Sequence, residues 1–184
     1  MNETTVATAQ ATAQATTPPV LHRGVLAQRA WHIAAAVADP EVPVLTIDDL
    51  GVLRSITVGE NDVAVSITPT YSGCPAMESI RDDVVTALND AGFENVVVNI
   101  TLSPAWTTDW ISAEGKEKLE RFGIAAPSGR ASAAGGPVRM RMSVKCPQCQ
   151  SLNTRELSHF GSTSCKALYQ CLDCLEPFDY FKVL

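Results

Sequence analysis

Cysteines at four positions set the first chemical expectation. Cys146-Pro147-Gln148-Cys149 and Cys171-Leu172-Asp173-Cys174 are two CxxC pairs with 21 residues between them. Each pair puts two thiolates on one tight turn. Two facing turns complete the tetrahedron of soft sulfur that Zn²⁺ prefers, and no position is left open for a substrate. The spacing predicts a structural zinc ribbon over residues 141 to 184, whose core is too small to fold without the free energy of metal binding. By residue type, iron fits the same four-sulfur cage. Two redox CxxC motifs are a weaker reading, because neither pair opens the helix of a thioredoxin-like βαβ unit. His159 and Cys165 lie between the turns, as spare ligands to a site that four cysteines already fill. Phe160, Tyr169, Phe178, Tyr180 and Phe181 read as the ribbon's small core rather than a base-stacking surface.

Another cysteine stands far from the ribbon. Cys74, in Tyr71-Ser72-Gly73-Cys74-Pro75, immediately precedes a helical pattern, where unpaired N–H groups and the helix dipole favour negative charge. The expectation is a thiol with a lowered pKa, offset in part by Glu78. Such a residue is a nucleophile or a metal ligand, or else a buried and inert cysteine. Asp39 and Glu41, in Asp39-Pro40-Glu41-Val42-Pro43, form a rigid acidic loop whose carboxylates either face Cys74 or are solvated turn residues. The sequence has no Ser-His-Asp order, phosphate-binding glycine loop or HExxH, and His22, His32 and His159 are scattered, so conventional catalysis has little support.

The chain that must position these groups has 184 residues, 46% of them hydrophobic, enough for one ordinary core and a small appended module. Its formal net charge is −6, with 8 basic against 16 acidic residues up to Pro137 and 6 against 4 beyond it. No basic stripe is interleaved with aromatics, which disfavours nucleic acid as a partner. No apolar run approaches the roughly 20 residues that cross a bilayer. Neither a basic leader nor an apolar h-region opens the chain, so the six cysteines read as reduced thiols of a cytoplasmic protein.

Residues 1 to 20 are dominated by Ala, Thr and Gln and read as a disordered tail. Leu26, Ala30, Ile33, Ala34 and Val37 predict a helix over 25 to 38 that Asp39-Pro40 ends. Alternation over 52 to 58 and 63 to 67, around the turn residues 59 to 62, predicts a β-hairpin. Met77, Ile80, Val84 and Leu88 predict a second helix, with Pro75 at its first position and Gly92 just past its end. Val96, Val98, Ile100 and Leu102 alternate as a third strand, and Ser112 caps a helix running to about Phe122. The order αββαβα predicts an α+β domain over residues 21 to 125. Its small three-stranded sheet is covered by helices, and the third strand returns parallel to the second. Residues 126 to 140, rich in small residues, glycine and proline, read as a linker to the β ribbon.

Four runs taken together resemble a known family: Asp39-Pro40-Glu41-Val42-Pro43, Asp49-Leu50-Gly51, Thr70-Tyr71-Ser72-Gly73-Cys74-Pro75 and Pro104-Ala105-Trp106-Thr107. They are similar to the motifs of the SufT-like domain of iron–sulfur cluster assembly factors, over residues 25 to 125. The runs from His159 to Cys171 and from Glu176 to Phe181 resemble the ribbon of the accessory family of the phenylacetyl-CoA epoxidase complex, the multicomponent oxygenase of bacterial phenylacetate degradation. The resemblance implies a maturation factor, not an enzyme, that helps install or repair an iron–sulfur or di-iron centre in that oxygenase. It implies structural zinc in the ribbon, a transient iron–sulfur cluster or iron as cargo, and the oxygenase and reductase subunits as partners. Cys74, which matches the cysteine of the GCP motif, is then the functional thiol, Asp39 of the DPE motif is a lesser candidate, and Cys165 has a metal-handling role. A homodimer would let two Cys74 thiols share one cluster. Two other readings compete: a ribbon module that docks a protein or nucleic acid, and an enzyme pairing Cys74 with a carboxylate. The latter lacks a histidine in either motif to act as base.

Overall fold

A computed structural model describes residues 24–59, 62–128 and 144–183. The expected tail and nearly all of the expected linker lie outside the described residues. Helix α1 (Val25–Ala35) buries Ala27, Ala30 and Ala34, a stripe of small side chains that seats it closely on the first strand and the second helix. Leu26, expected on the buried face, is exposed. The helix ends at Ala35 rather than at 38, because the next residues are committed elsewhere. The Ile47 N–H donates to the Val37 carbonyl and the Asp39 N–H to the Leu45 carbonyl, both at 2.9 Å, so residues 37 to 47 form a closed loop.

Strands β1 (Leu53–Val58) and β2 (Val63–Ile67) form the expected antiparallel hairpin. Helix α2 (Ala76–Asp90) then crosses over to β3 (Val96–Ile100), which pairs parallel to β2 in a sheet of order β1-β2-β3. Met77, Ile80, Val84 and Leu88 are all buried, as their three- and four-residue steps require for one helical face. Pro75 is the residue just before the helix rather than its first position. Helix α3 (Ala113–Phe122) is capped by Ser112, whose Oγ accepts the Gly115 N–H at 2.8 Å.

Two of the sequence motifs hold each other. The Trp106 indole N–H donates to the Leu50 carbonyl at 2.8 Å. Gly51 has φ +67°, and a Cβ there would lie 2.7 Å from Cβ of Trp110, so both conformation and space demand glycine.

The ribbon is a second sheet of order β4-β7-β6-β5, built from β4 (Ile124–Ala125), β5 (Thr154–Ser158), β6 (Lys166–Cys171) and β7 (Pro177–Phe181). Strand β4, placed by composition at the end of the first domain, pairs parallel with β7. The two parts of the chain also share a core, since buried Cys165 and Phe181 pack among the main cluster of the first domain. The Phe181 ring lies 6.2 Å from that of Trp106. The expected aromatic core of the ribbon is thus divided. Phe178 packs with Tyr169 and Tyr180 inside the ribbon, Phe181 belongs to the main core, and Phe160 is exposed. The division follows from register: Phe181 pairs with Lys166 at the end of the β6–β7 hairpin that abuts the first domain. Among the described residues no helix is long and apolar enough to cross a membrane.

Candidate functional site

The two CxxC turns have matching geometry. Gln150 and Leu175, each one residue past the second cysteine of its turn, have φ of 65° and 66°, which folds the chain back over the sulfurs. Asp173 of the second turn accepts hydrogen bonds from Ser151 Oγ and, at 2.7 Å, from Asn153 Nδ2, tying one turn to the other. Cys146 and Cys174 Sγ lie 3.8 Å apart, Cys149 and Cys171 Sγ 3.5 Å apart, and all four sulfurs fall within 4.8 Å of one another. A tetrahedron with Zn–S bonds of about 2.3 Å has S–S edges of about 3.8 Å, close to the two shortest separations, so the quartet fits zinc with small adjustments.

The Cys171 thiol is lowered to about 7, chiefly by the Cys174 N–H it accepts. Cys174 receives the Glu176 N–H, but burial and the thiols of Cys149, Cys171 and Cys146 push it up to about 12. Without metal Cys174 therefore holds its proton at neutral pH. Zinc binding must expel it, and acidification must weaken that binding.

The second group of residues is assembled from both domains. Cys74 is half-buried in a turn whose preceding residue, Gly73, has φ +93°. The expectation of a lowered thiol pKa is not met. Burial pushes the Cys74 thiol up and outweighs the Ala76 N–H at the helix start, while Glu41 and Asp39 raise it further. A helix N-terminus favours a thiolate only where desolvation and like charge do not exceed it.

Asp39 is buried, and its Oδ1 accepts the N–H groups of Glu41 and Val42, each at 2.8 Å. It is thus not a solvated turn residue. Burial raises its carboxyl despite those two donors and Lys166. Glu41 is raised by burial and by Asp39, and Lys166 opposes both.

Cys165, from the ribbon, lies outside the zinc quartet. It is buried, with Thr163 Oγ1 3.0 Å from its sulfur. Burial pushes its thiol up, and Glu41 and Asp39 act on it in the same direction. The charges of the same two carboxylates therefore act on both the Cys74 and the Cys165 thiol. The segment between His159 and Lys166 meets the first domain at two further points. Tyr71 lies where both the Cys74 thiol and the Ser164 side chain influence its phenol, and Lys166 Nζ donates to the Glu41 carbonyl at 3.4 Å. His159, the other spare ligand considered from sequence, pairs with Glu156 at 3.3 Å and is exposed.

Comparison with known proteins bears on both groups. Residues 132–182 match the family model described as the PaaD zinc beta ribbon domain, and residues 35–102 match the model described as iron–sulfur cluster assembly protein. Over 167 residues the chain is 44% identical to a putative component of the 1,2-phenylacetyl-CoA epoxidase of Escherichia coli K12, covering 91% of this chain and 95% of that protein. The chain belongs to the PaaD family.

Its assembly domain is also 37% identical over 85 residues to the Fe-S protein maturation auxiliary factor SufT of Staphylococcus aureus, which spans 45% of this chain and 96% of that one. A crystal structure of a DUF59 domain from Bacillus anthracis is 29% identical, with TM-score 0.47, covering 50% of this chain and 90% of that one. In this PaaD-family chain the assembly match encloses Asp39, Glu41 and Cys74, and the ribbon match encloses the zinc quartet, Cys165 and Lys166. Sequence reasoning did not single out Lys166 or Ser164. The only local signal was a basic residue beside Cys165, and a lysine in a ribbon strand is ordinarily solvated.

Proposed function

We propose that this protein is an accessory factor that delivers iron, as an iron–sulfur cluster or as iron for a di-iron centre, to the phenylacetyl-CoA epoxidase, and that it does not itself turn over phenylacetyl-CoA. The observation that carries the proposal is that Cys74 and Cys165, from different domains, pack against one core, with the ribbon's Lys166 on the Glu41 carbonyl, in a chain that joins an iron–sulfur assembly domain to a PaaD ribbon. Cys74 is the acceptor thiol. In the exchange, a bond from its Sγ to iron forms as the donor's bond to that iron breaks, with no change of oxidation state, and the thiol proton passes to a neighbouring carboxylate, Glu41 or Asp39. Zinc stays in the ribbon as a structural ion, since its four sulfurs leave no open position. The oxygenase and reductase subunits of the epoxidase are the clients.

The test is co-production of the epoxidase subunits with wild type or with Cys74→Ser. The substitution removes one half-buried sulfur and leaves the fold intact, so melting temperature and zinc content stay at wild-type values. The epoxidase made beside it is short of iron and correspondingly inactive. A fully iron-loaded, fully active epoxidase would sink the proposal.

A further inference from the structure

Arg54 is the extra residue of a β-bulge. Leu53 pairs with Ile67 and Ser55 with Ser66, so Arg54 has no opposite residue on β2, and a bulge of this kind redirects a side chain at the expense of a ladder position. Its guanidinium lies over the ring of Trp110, with Cζ 3.4 Å from the centroid. Two further concessions serve that stack. Position 51 forgoes a Cβ that would lie 2.7 Å from the one of Trp110. The Trp110 indole N–H is buried without a partner, a cost that phenylalanine would avoid. What tryptophan supplies in return is the strongest aromatic face for a cation.

The guanidinium held in this way is half-buried, and its one hydrogen bond runs from Nη1 to the Gly51 carbonyl at 3.4 Å, out of five N–H donors. Among the described residues no carboxylate pairs with it, whereas Arg81 has Glu78 and Asp82, and Lys118 has Asp49 and Glu114. Partial burial without an opposite charge is unfavourable. Arg54 also stands at the end of the sheet from which the Cys74 loop departs, since the N–H of Thr68, at the start of that loop, donates to the Val52 carbonyl at 2.9 Å. The segment carrying Trp110 reaches the same end through the bond from the Trp106 indole to the Leu50 carbonyl.

We propose that Arg54, braced by Trp110, is the anchor on which a client protein docks through one of its own acidic side chains, at the end of the sheet that carries the Cys74 loop. The inference rests on the transfer role proposed above and names how the client is recognised. The tryptophan fixes the plane of the guanidinium and shields one face, so the free edge presents parallel N–H donors that match a carboxylate. Arginine and tryptophan are also the residues that most often dominate protein interfaces. A chain of net charge −6 repels an acidic client on average, so an unpaired cation fixes where that client lands.

The experiment measures binding of the full-length, zinc-loaded protein to the purified epoxidase by biolayer interferometry, for wild type, Arg54→Gln, Arg54→Lys and Cys74→Ser, with iron loading of the epoxidase as a second readout. Arg54→Gln is expected to weaken binding by roughly tenfold or more and to flatten its salt dependence, and Arg54→Lys to recover little, because an ammonium does not form the paired bonds. Iron loading by Arg54→Gln should recover at raised protein concentration, as a docking defect does. Unchanged affinity in Arg54→Gln, or full recovery in Arg54→Lys, overturns the proposal. Calorimetric titration with inorganic phosphate tests the other source of an anion: phosphate binding that Arg54→Gln abolishes while client affinity holds would reassign Arg54 to a small-anion site. Should Arg54→Gln lose its cooperative melting, Arg54→Met takes its place with the same expected loss. Cys74→Ser is expected to bind the epoxidase as wild type does and to leave it short of iron. A fully loaded epoxidase in that arm would remove the transfer role of Cys74 and leave the docking result standing.

Discussion

Asp39 shows how one side chain serves structure and chemistry together. Its two backbone acceptor bonds hold the turn over Glu41 and Val42, and Val42 in turn is buried in the core. Burial raises its carboxyl above the ordinary value of 3.8, so folding favours the protonated form. That contribution to stability is present below the ordinary value and is lost as pH rises through the native one. Asp39→Asn keeps a carbonyl oxygen for both N–H groups and removes the charge. The variant is therefore expected to melt at or above the wild-type temperature at pH 7, with the difference shrinking to nothing as pH is lowered toward about 4. Thermal melts across that range check it, and a variant that melts lower at pH 7 contradicts it. A turn held equally well by asparagine leaves the carboxylate to be explained by the chemistry beside Cys74.

Among the elements, β6 has the most unusual position. At its last residue it carries a zinc ligand, Cys171, and at its first Lys166, directly after Cys165. Six strand residues span roughly 17–20 Å, so one strand connects the zinc quartet to the Cys74 neighbourhood. Its partner β7 ends in Phe181, paired with Lys166 and fully buried against the first domain near Trp106. Phe181→Ala is expected to cost ~3–5 kcal/mol, as truncation of a buried aromatic does. It should also make Cys165 reactive to alkylating reagents, whereas Phe178→Ala, in the ribbon's own cluster, should leave Cys165 protected. Denaturant midpoints and the alkylation rate of Cys165 test this, and equal protection in the two variants would show that Phe181 does not hold the ribbon to the first domain.

At the scale of the whole molecule, the ribbon is continuous with the first domain through the pairing of β4 with β7, the burial of Phe181 and Cys165 and the contact of Lys166 with Glu41. Zinc binding in isolated zinc-finger peptides has an apparent free energy of ~10–16 kcal/mol, comparable with the whole stability of a domain. Stripping the zinc with a chelator under reducing conditions should therefore unfold β5 to β7 and, through the shared core, loosen the loop around Asp39. Hydrogen exchange would show loss of protection in both places, with α2 and β1 to β3 retained. Loss confined to the ribbon would show the two cores to be energetically independent.

Much of this was legible in the residues themselves. The four ribbon ligands are local pairs at a spacing that metal geometry dictates, and α2, the hairpin and the parallel return of β3 follow from periodicities of three to four and of two. The GCP and DPE motifs singled out Cys74 and Asp39 by resemblance. The extent of α1 and the exposure of Leu26 were not legible, because the loop over residues 37 to 47 competes for that backbone. The thiol pKa of Cys74 was misjudged for a related reason: the helix start is a local feature, whereas the burial and carboxylates that override it come from elsewhere in the chain. Cys165 and Lys166 lie 91 and 92 residues beyond Cys74 in the sequence, and no periodicity encodes that a ribbon strand should deliver a buried lysine to a distant loop. The sequence by itself determined the four-cysteine cluster, the hairpin, the second helix and third strand of the first domain, and the family. Only tertiary packing decided that Cys165, Lys166 and Phe181 of the ribbon lie against the first domain, because long-range burial and charge set that arrangement and neither has a local signature.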